Sequence, residues 1–171
     1  MRYLCSLKNS DTELSVISES PDETYLIGKI IGRAARPGLL VLLKGTLGTG
    51  KTRLTQGIGE ALGVNGIKSP TFIIMNEYDS KIPLLHADLY RLDSNDAIES
   101  LGIDEYLEDG FIAVVEWAQL WETPPQECRI DVELNRHDEN SRTIKFTYCG
   151  NNASDVFYQI SEEIKKLAGV K

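Results

Sequence analysis

The sequence has 171 residues, 42% of them hydrophobic, and a formal net charge of −8. This length fits one domain with a substantial core, and the acidic balance argues against direct nucleic-acid binding, which depends on Lys and Arg neutralising phosphates. No apolar stretch is long enough for a bilayer and the N-terminus lacks a secretory pattern, so we expect a cytoplasmic protein with no membrane contact. Three widely spaced cysteines, with no metal-ligand spacing, indicate isolated thiols in a reducing compartment.

The first part of the chain alternates strand and helix patterns. Alternating polarity predicts a strand, a Ser-x-x-Glu capping box followed by proline predicts a helix start, and a continuous apolar run predicts a strand buried on both faces. In chain order these are the strand ELSVIS (13–18), a helix opened by SPDE (20–23) and closed by Pro37-Gly38, the buried strand LLVLLK (39–44), and a helix from about Lys51 to Leu62 that Gly63 ends.

The second part adds hairpins to this alternation. The predicted elements are the strand TFIIMNEY (71–78) with PLLHADLY (83–90) as its hairpin partner, short helical pieces at 95–108, the apolar strand FIAVVE (111–116), a hairpin of CRIDVEL (128–134) with RTIKFTY (142–148), and a closing helix at 154–168 with Ser154 as its N-cap. This order predicts an α/β sandwich with a mixed sheet, and no internal boundary divides residues 1–171 into more than a single domain.

The stretch GTLGTGKT (45–52) is typical of a phosphate-binding loop. It fits Gly-x-x-x-x-Gly-Lys-Ser/Thr and lies between a predicted buried strand and a predicted helix. Glycines allow backbone N–H groups to turn towards phosphate oxygens, and a helix N-terminus adds unpaired donors and positive potential. We therefore predict a P-loop NTPase-like three-layer sandwich around a mixed central sheet. Nucleotide contacts are predicted for Gly45, Thr46, Leu47, Gly48, Thr49, Gly50, Lys51, Thr52 and Arg53.

Two acidic residues end apolar strands and are candidates for the chemistry. Asp88 follows LLHA, and Glu116 follows FIAVV. In a P-loop protein, a carboxylate at the end of a buried strand beside the loop can hold Mg²⁺ or orient water. The same position would also suit an ordinary helix cap or ion pair, although the apolar strand before Glu116 favours a functional role. Thr52 offers a hydroxyl to the same metal ion.

Other nucleotide-dependent classes fit less well. The stretch at 135–138, Asn-Arg-His-Asp, is close to the guanine-reading Asn-Lys-x-Asp but has arginine for lysine and falls in a predicted hairpin turn. No Asp has a Gly three positions later, which removes the usual γ-phosphate switch of GTPases. A small-molecule kinase usually needs an arginine-rich lid, and the arginines here are scattered along the sequence, at Arg91, Arg129, Arg136 and Arg142, with no cluster to bind a second phosphate.

Four motifs together resemble the TsaE family, also called YjeE-like. They are GTLGTGKT, SPTF (69–72), HADLYR (86–91) and VVEW (114–117), in this order and spacing, within a resemblance that runs from about Glu13 to Gly150. The family supplies the bacterial ATPase of tRNA threonylcarbamoyladenosine (t6A) biosynthesis. Only the P-loop motif is specific by itself; the combination of the four is specific.

The resemblance implies roles for individual residues. Thr71 would place its hydroxyl near the γ-phosphate or metal in a switch loop, Asp88 would be a catalytic or supporting carboxylate, and Glu116 would be linked to Mg²⁺ together with Thr52. Trp117 would lie beside the nucleotide, although a packed aromatic residue fits this position equally well. His86, Tyr90 and Arg91 belong to the same motif, and for His86 a structural, hydrogen-bonded role is favoured over that of a catalytic base.

Three positions depart from the family pattern. Thr46 stands where the family commonly has Asp, Thr49 where it commonly has Ala, and Gln119 where an acid usually follows Glu-Trp. The absence of a carboxylate at Thr46 removes a possible water or metal contact without weakening the prediction of nucleotide binding.

The resemblance also implies ATP and Mg²⁺ as cofactors and the TsaD and TsaB proteins as partners. In this interpretation tRNA is reached only through the complex, and ATP hydrolysis resets the complex between turnovers. We expect weak hydrolysis by the chain alone, because the sequence shows no arginine cluster and a partner would have to complete the site. A nucleotide-sensing module in which hydrolysis is incidental, and a small-molecule kinase, remain as alternatives.

Overall fold

The structure is a computed structural model that describes residues 7–9, 12–70 and 73–168. Within these ranges the strands are β1 (Leu7–Asn9), β2 (Glu13–Ser18), β3 (Leu40–Lys44), β4 (Met75–Tyr78), β5 (Leu84–Asp88), β6 (Ile112–Glu116), β7 (Arg129–Arg136) and β8 (Arg142–Cys149). The helices are α1 (Pro21–Ala34), α2 (Lys51–Ala61), α3 (Asn95–Glu99), α4 (Ile103–Glu108) and α5 (Asn151–Leu167), with a 3₁₀ turn at Ala118–Leu120. No helix of the described residues is long and apolar enough to cross a membrane.

The described strands form one mixed sheet in the order β1-β2-β8-β7-β3-β6-β5-β4. The central strand β3 is parallel to both of its neighbours, β6 and β7, and β5 is parallel to β6. The pairs β4–β5 and β7–β8 are antiparallel hairpins, and β2 also pairs antiparallel with β8. The predicted mixed sheet is confirmed.

Helices cover both faces of the sheet, as the apolar pattern of β3 predicts. Val41 and Leu43 face a core formed with α1, α2 and α5, whereas Leu40 and Leu42 face a smaller core formed with α3 and α4. These β3 side chains are almost completely buried. A strand in the middle of a three-layer sandwich has no polar face, which is why its sequence is a continuous apolar run.

Helices α1 and α2 pack closely because each has a glycine at the crossing. A Cβ on Gly28 would collide with the backbone carbonyl of Leu54, and one on Gly57 would collide with that of Tyr25. The start of α1 is the predicted cap: the Ser20 side chain accepts a hydrogen bond from Glu23 N–H at 3.1 Å. The Glu23 carboxylate reaches back to the N–H of Glu19 rather than that of Ser20, at 2.7 Å.

Two predicted boundaries are wrong. Residues 71–72 of the strand predicted over 71–78 lie outside the described residues. The described strand begins at Met75, because Ile73 and Ile74 form a turn whose N–H groups bond to the carbonyl of Pro70, and Ile74 has a positive φ of 66°. Helix α5 begins at Asn151 after Gly150, three residues before the predicted start, so Ser154 lies inside its first turn and donates to the Asn151 carbonyl at 2.8 Å.

The short strand β1 was not predicted at all. It pairs with β2 at one edge of the sheet, opposite the edge formed by β4. The other predicted elements are confirmed, with ends that shift by one or two residues.

Candidate functional site

The chain between β3 and α2 forms an open loop at the carboxyl end of the central strand. Gly45, Gly48 and Gly50 have φ values of 145°, 76° and 103°, which other residue types adopt only with strain. Helix α2 begins after Gly50 with no side-chain cap and no acidic residue in its first turn. Its first N–H groups and its positive dipole end therefore face the loop without a side chain that competes for them.

Lys51 lies inside this loop rather than on the surface. Its Nζ donates to the carbonyl oxygens of Gly45, at 2.9 Å, and Thr46, at 2.8 Å, and lies 4.1 Å from the centroid of the Trp117 ring. Burial lowers the pKa of the ammonium group, and the negative charges of Glu116 and Asp88 partly offset this effect. A buried cation whose hydrogen bonds among the described residues go to two carbonyl oxygens is well placed to exchange them for phosphate oxygens.

Glu116 ends β6 directly beside the start of α2. The strand register pairs it with Leu43 of β3, and the Thr52 hydroxyl donates to its Oε2 at 3.1 Å. Its other oxygen, Oε1, lies 2.9 Å from Nε2 of His86 and 3.5 Å from the Thr55 hydroxyl. The carboxylate is only 2% exposed and is thus held in one orientation, aimed at the hydroxyl of the P-loop threonine.

Asp88 is the neighbour of Glu116 across the parallel pair β5–β6. One of its oxygens accepts from the Ser69 hydroxyl at 3.1 Å and the other from the Tyr90 N–H at 3.0 Å. The carboxylate is therefore tied to the Ser-Pro-Thr segment that the sequence suggests as a switch. Thr71 of that segment lies outside the described residues.

The buried side chain of His86, in β5, contacts Glu116, the last residue of β6. It is completely buried, its Nε2 contacts Glu116, and its Nδ1 has no partner among the described residues. The hydrogen-bonded role favoured from the sequence matches this geometry. Its effect is to fix the orientation of Glu116, an arrangement in which a supporting hydrogen bond positions a ligand group.

Trp117 turns the chain away from β6 with a positive φ of 60°. Its ring packs against Tyr90, with centroids 4.7 Å apart, and against the Lys51 ammonium. Tyr90 is 59% exposed, so this aromatic pair forms a wall of the site that faces solvent.

A cleft of about 320 Å³ joins these groups. Its walls are Leu47, Gly48, Gly50, Lys51, Thr52, Arg53, Ser69, Asp88, Tyr90, Glu116 and Trp117. A larger cavity of about 570 Å³ opens at the other end of the sheet, near Arg36 and Cys128. We place the candidate site in the smaller cleft, because that is where the phosphate loop, a buried lysine and two oriented carboxylates meet.

The remaining predicted contacts occupy different positions around the loop. Leu47 is at its tip and 83% exposed, while Thr49 is 1% exposed and its hydroxyl donates to the Thr46 carbonyl at 3.1 Å. The Arg53 guanidinium is bound to Asp22 at 2.8 Å and lies over the Tyr25 ring, so its charge is already paired. Gln119, which replaces the family's acid, lies 3.5 Å from the backbone N and O of Gly45.

The expectation that the arginines are scattered is wrong for two of them. Arg136 and Arg142 face each other across the β7–β8 hairpin, beside Gly48 and Gly50 of the P-loop. They are six residues apart in the sequence, and the hairpin turn brings them together. The predicted β7–β8 hairpin was the signal that could have shown that these two arginines lie close together, because its two strands meet beside the P-loop.

The site has ligands that suit Mg²⁺ when phosphates are present. The Thr52 hydroxyl and the Glu116 carboxylate converge, and no group of three or more His, Cys, Asp or Glu side chains among the described residues could hold a metal ion by itself. Mg²⁺ is commonly held by one or two carboxylates together with substrate phosphates and water, rather than by an all-protein cage. The residues present therefore fit a metal ion that arrives with a nucleotide.

The comparisons with known proteins agree on one family. The family model "Threonylcarbamoyl adenosine biosynthesis protein TsaE" matches residues 18–144. A relative named tRNA threonylcarbamoyladenosine biosynthesis protein TsaE, from Bacillus subtilis, is 39% identical over 86% of this chain and 90% of its own length. A protein of the same name from Nostoc is 35% identical over 85% of this chain and 93% of its own length.

A solved structure extends the match to three dimensions. The crystal structure of YdiB from Bacillus subtilis superposes with a TM-score of 0.75 at 34% identity, and the match covers 94% of this chain and 99% of that one. The matched family segment contains the P-loop, both carboxylates and most of the sheet around them. The chain therefore belongs to the TsaE family.

Proposed function

We propose that this chain is an Mg²⁺-dependent ATPase that acts in tRNA threonylcarbamoyladenosine (t6A) modification together with TsaD and TsaB in the cytoplasm. The observation that carries the proposal is the hydrogen bond from the Thr52 hydroxyl to the Glu116 carboxylate, 3.1 Å long, at the mouth of the P-loop. A hydroxyl and a carboxylate beside a phosphate cradle are the protein groups that a nucleotide-bound Mg²⁺ uses.

The P-loop and four side chains of the cleft have specific parts in this proposal. The N–H groups of the loop and of the first turn of α2 bind the β- and γ-phosphates, and Lys51 exchanges its two carbonyl partners for phosphate oxygens. Thr52 and Glu116 would hold the metal ion, which would neutralise charge on the phosphates. Asp88, tied to Ser69, orients the switch segment and the attacking water at the γ-phosphate end.

The acidic composition supports action through partners. A chain with a formal net charge of −8 is poorly suited to holding tRNA, so a basic partner would hold it. The relatives named for tRNA threonylcarbamoyladenosine biosynthesis support this pathway for the present chain. Weak hydrolysis by the chain alone remains our expectation, because the cleft is open to solvent on the side of Tyr90 and Leu47, where a partner could close it.

The test is ATP hydrolysis by the purified chain with Mg²⁺, with and without the TsaD–TsaB pair from the same source. We expect strong stimulation by the pair. Vigorous turnover by the chain alone would contradict the need for a partner. Tight ATP binding with no stimulation would instead favour a nucleotide-sensing module in which hydrolysis is incidental.

One variant distinguishes an essential ATPase from a nucleotide-sensing module. If hydrolysis is essential, Glu116→Ala loses t6A formation even when ATP still binds. If ATP only orders the switch segment, the same variant retains t6A formation. A small-molecule kinase would be recognised by ADP formation that depends on a metabolite rather than on a protein.

A further inference from the structure

The segment at 117–123, which follows β6, forms one wall of the candidate site. At its start, the Trp117 ring lies 4.1 Å from the Lys51 ammonium, measured to the ring centroid. Two residues later, the Gln119 amide group lies 3.5 Å from the backbone N and O of Gly45. The position of this segment therefore decides how closely the P-loop and its lysine are covered on this side.

This segment leaves β6 in a backbone conformation that other contacts have to hold. Trp117 has a positive φ of 60°, which a residue with a Cβ adopts only at a cost in free energy. In the 3₁₀ turn that follows, the Leu120 N–H donates to the Trp117 carbonyl at 3.1 Å. The Trp121 N–H donates to the Ala118 carbonyl at the same distance. These bonds tie the two tryptophans together, so a group that fixes Trp121 also restrains Trp117.

Helix α3 holds the far end of the segment through two of its side chains. The Oε1 atom of Glu99 accepts from the Trp121 indole N–H at 2.9 Å and from the Thr123 hydroxyl at 2.8 Å. The Oδ1 atom of Asn95 accepts from the Glu122 N–H at 3.0 Å. The Asn95 amide nitrogen also donates to the Thr123 hydroxyl oxygen at 3.2 Å. Both ends of this short helix are thus bonded to the segment.

The charge of Glu99 serves this contact although the side chain is exposed. Its donors among the described residues are all neutral side chains, those of Trp121, Thr123 and Asn95. The hydrogen bonds from Trp121 and Thr123 hold the pKa of the carboxyl group below its ordinary value, although burial acts in the opposite direction. Because Trp121 is only 5% exposed, loss of the carboxylate would leave the N–H of a nearly buried indole without its partner.

We propose that Glu99 is a positioning residue of the candidate site, which acts through Trp121 to keep Trp117 over the P-loop lysine. Glu99 is not among the residues that line the cleft. A lysine that loses its aromatic cover gains water and freedom of movement, and its affinity for phosphate oxygens falls. The inference rests on the proposed function, because its effect is measured on the nucleotide that the P-loop would bind.

The test is a double-mutant cycle on ATP affinity, measured by calorimetry with Mg²⁺. We expect Glu99→Ala to weaken ATP binding about fivefold, because a charge-assisted contact that restrains the wall is lost. Glu99→Gln keeps an acceptor oxygen for the Trp121 indole and should recover most of this loss. In a Trp117→Ala background, Glu99→Ala should have no further effect, because the ring through which it acts is gone. In a Trp117→Phe background, which keeps a ring, the effect should persist.

The matched control is Glu105→Ala, an exposed glutamate in the next helix, α4, which should leave ATP affinity unchanged. An unchanged ATP affinity in Glu99→Ala would overturn the inference. Equal losses with and without the Trp117 ring would also overturn it, because they would indicate a general loss of structure.

Lys51→Ala distinguishes failure of this inference from failure of the proposed function. If Lys51→Ala weakens ATP binding and Glu99→Ala does not, only the inference fails. If neither variant weakens binding, the proposed nucleotide site fails with it.

Discussion

The two ends of the central sheet contrast in size and in chemistry. At the carboxyl ends of β3, β5 and β6, a cleft of about 320 Å³ holds a nearly buried lysine and two oriented carboxylates. Near the amino ends of β3 and β7, a cavity of about 570 Å³ has charged groups that stay in solvent. Its closest ion pair, Arg36 with Asp155, is 3.7 Å long, and the two side chains are 47% and 73% exposed.

Chain direction explains this difference. A strand that leads into a helix delivers the N-terminus of that helix, with its free N–H groups, to the carboxyl edge of the sheet. Parallel neighbours then end at the same edge, which is how Glu116 and Asp88 come to lie beside the P-loop. Volume is therefore a poorer guide to the site in this molecule than strand direction.

The largest expected effect comes from the carboxylate at the P-loop end. Glu116→Gln should lower kcat for ATP hydrolysis by the stimulated complex about a hundredfold or more, because the charge that would hold the metal ion is lost while the shape is kept. ADP affinity should change little. Arg36→Ala, at the opposite end of the sheet, is the control and should leave kcat unchanged. If both variants lost kcat equally, the chemistry could not be assigned to the P-loop end of the sheet.

The next effect concerns binding rather than turnover. Lys51→Ala removes the ammonium that, in the proposed function, would face the β- and γ-phosphates, so ATP affinity measured by calorimetry should fall by about tenfold or more. Arg36→Ala serves again as the control. An unchanged ATP affinity in Lys51→Ala would contradict the phosphate cradle.

A smaller effect on kcat should follow from loss of the His86 side chain, which contacts the Glu116 carboxylate. His86→Ala removes the partner of its Oε1, and we expect kcat to fall about tenfold with little change in KM, since a supporting hydrogen bond is lost. His86→Gln can place an amide donor near the position of Nε2 and should recover most of the loss. If Gln is no better than Ala, while both variants unfold at the same temperature as the parent, the positioning role is wrong.

The smallest effect concerns the turn that holds Arg136. Hydrogen bonds from Ser141 and then Asn140 lower the pKa of Asp138 from 3.8 to about 2. Because the pKa of the folded state lies below that of the unfolded state, this carboxylate adds stability above about pH 4 and loses it as the pH falls towards about 2.

Asp138→Asn should therefore cause a small decrease in Tm at neutral pH, and the difference from the parent should shrink as the pH is lowered through that window. Thermal unfolding of both proteins over a pH series measures this. A Tm difference that does not depend on pH would show that the charge of Asp138 does not stabilise the turn.

Local sequence patterns were sufficient to predict the elements whose structure depends on one short segment. The glycines and Lys51 define the loop, the apolar run of β3 defines a buried strand, and Ser20 with Glu23 defines the start of α1. The early start of α5 was missed because Gly150, with φ of 87°, turns the chain and allows the helix to begin before any capping side chain. The late start of β4 was missed because Ile73 and Ile74 favour strands but lie in a turn.

The sequence by itself determined the P-loop, the order of strands and helices from β2 onwards, and the resemblance to the TsaE family that the comparisons confirm. Only the tertiary structure decided which side chains meet: His86 with Glu116, Ser69 with Asp88, and Arg136 and Arg142 beside Gly48 and Gly50. The physical reason is that periodicity and turn residues act over a few positions. Contacts between distant segments depend instead on which strands pair, in which register, and how far each strand extends past its neighbour.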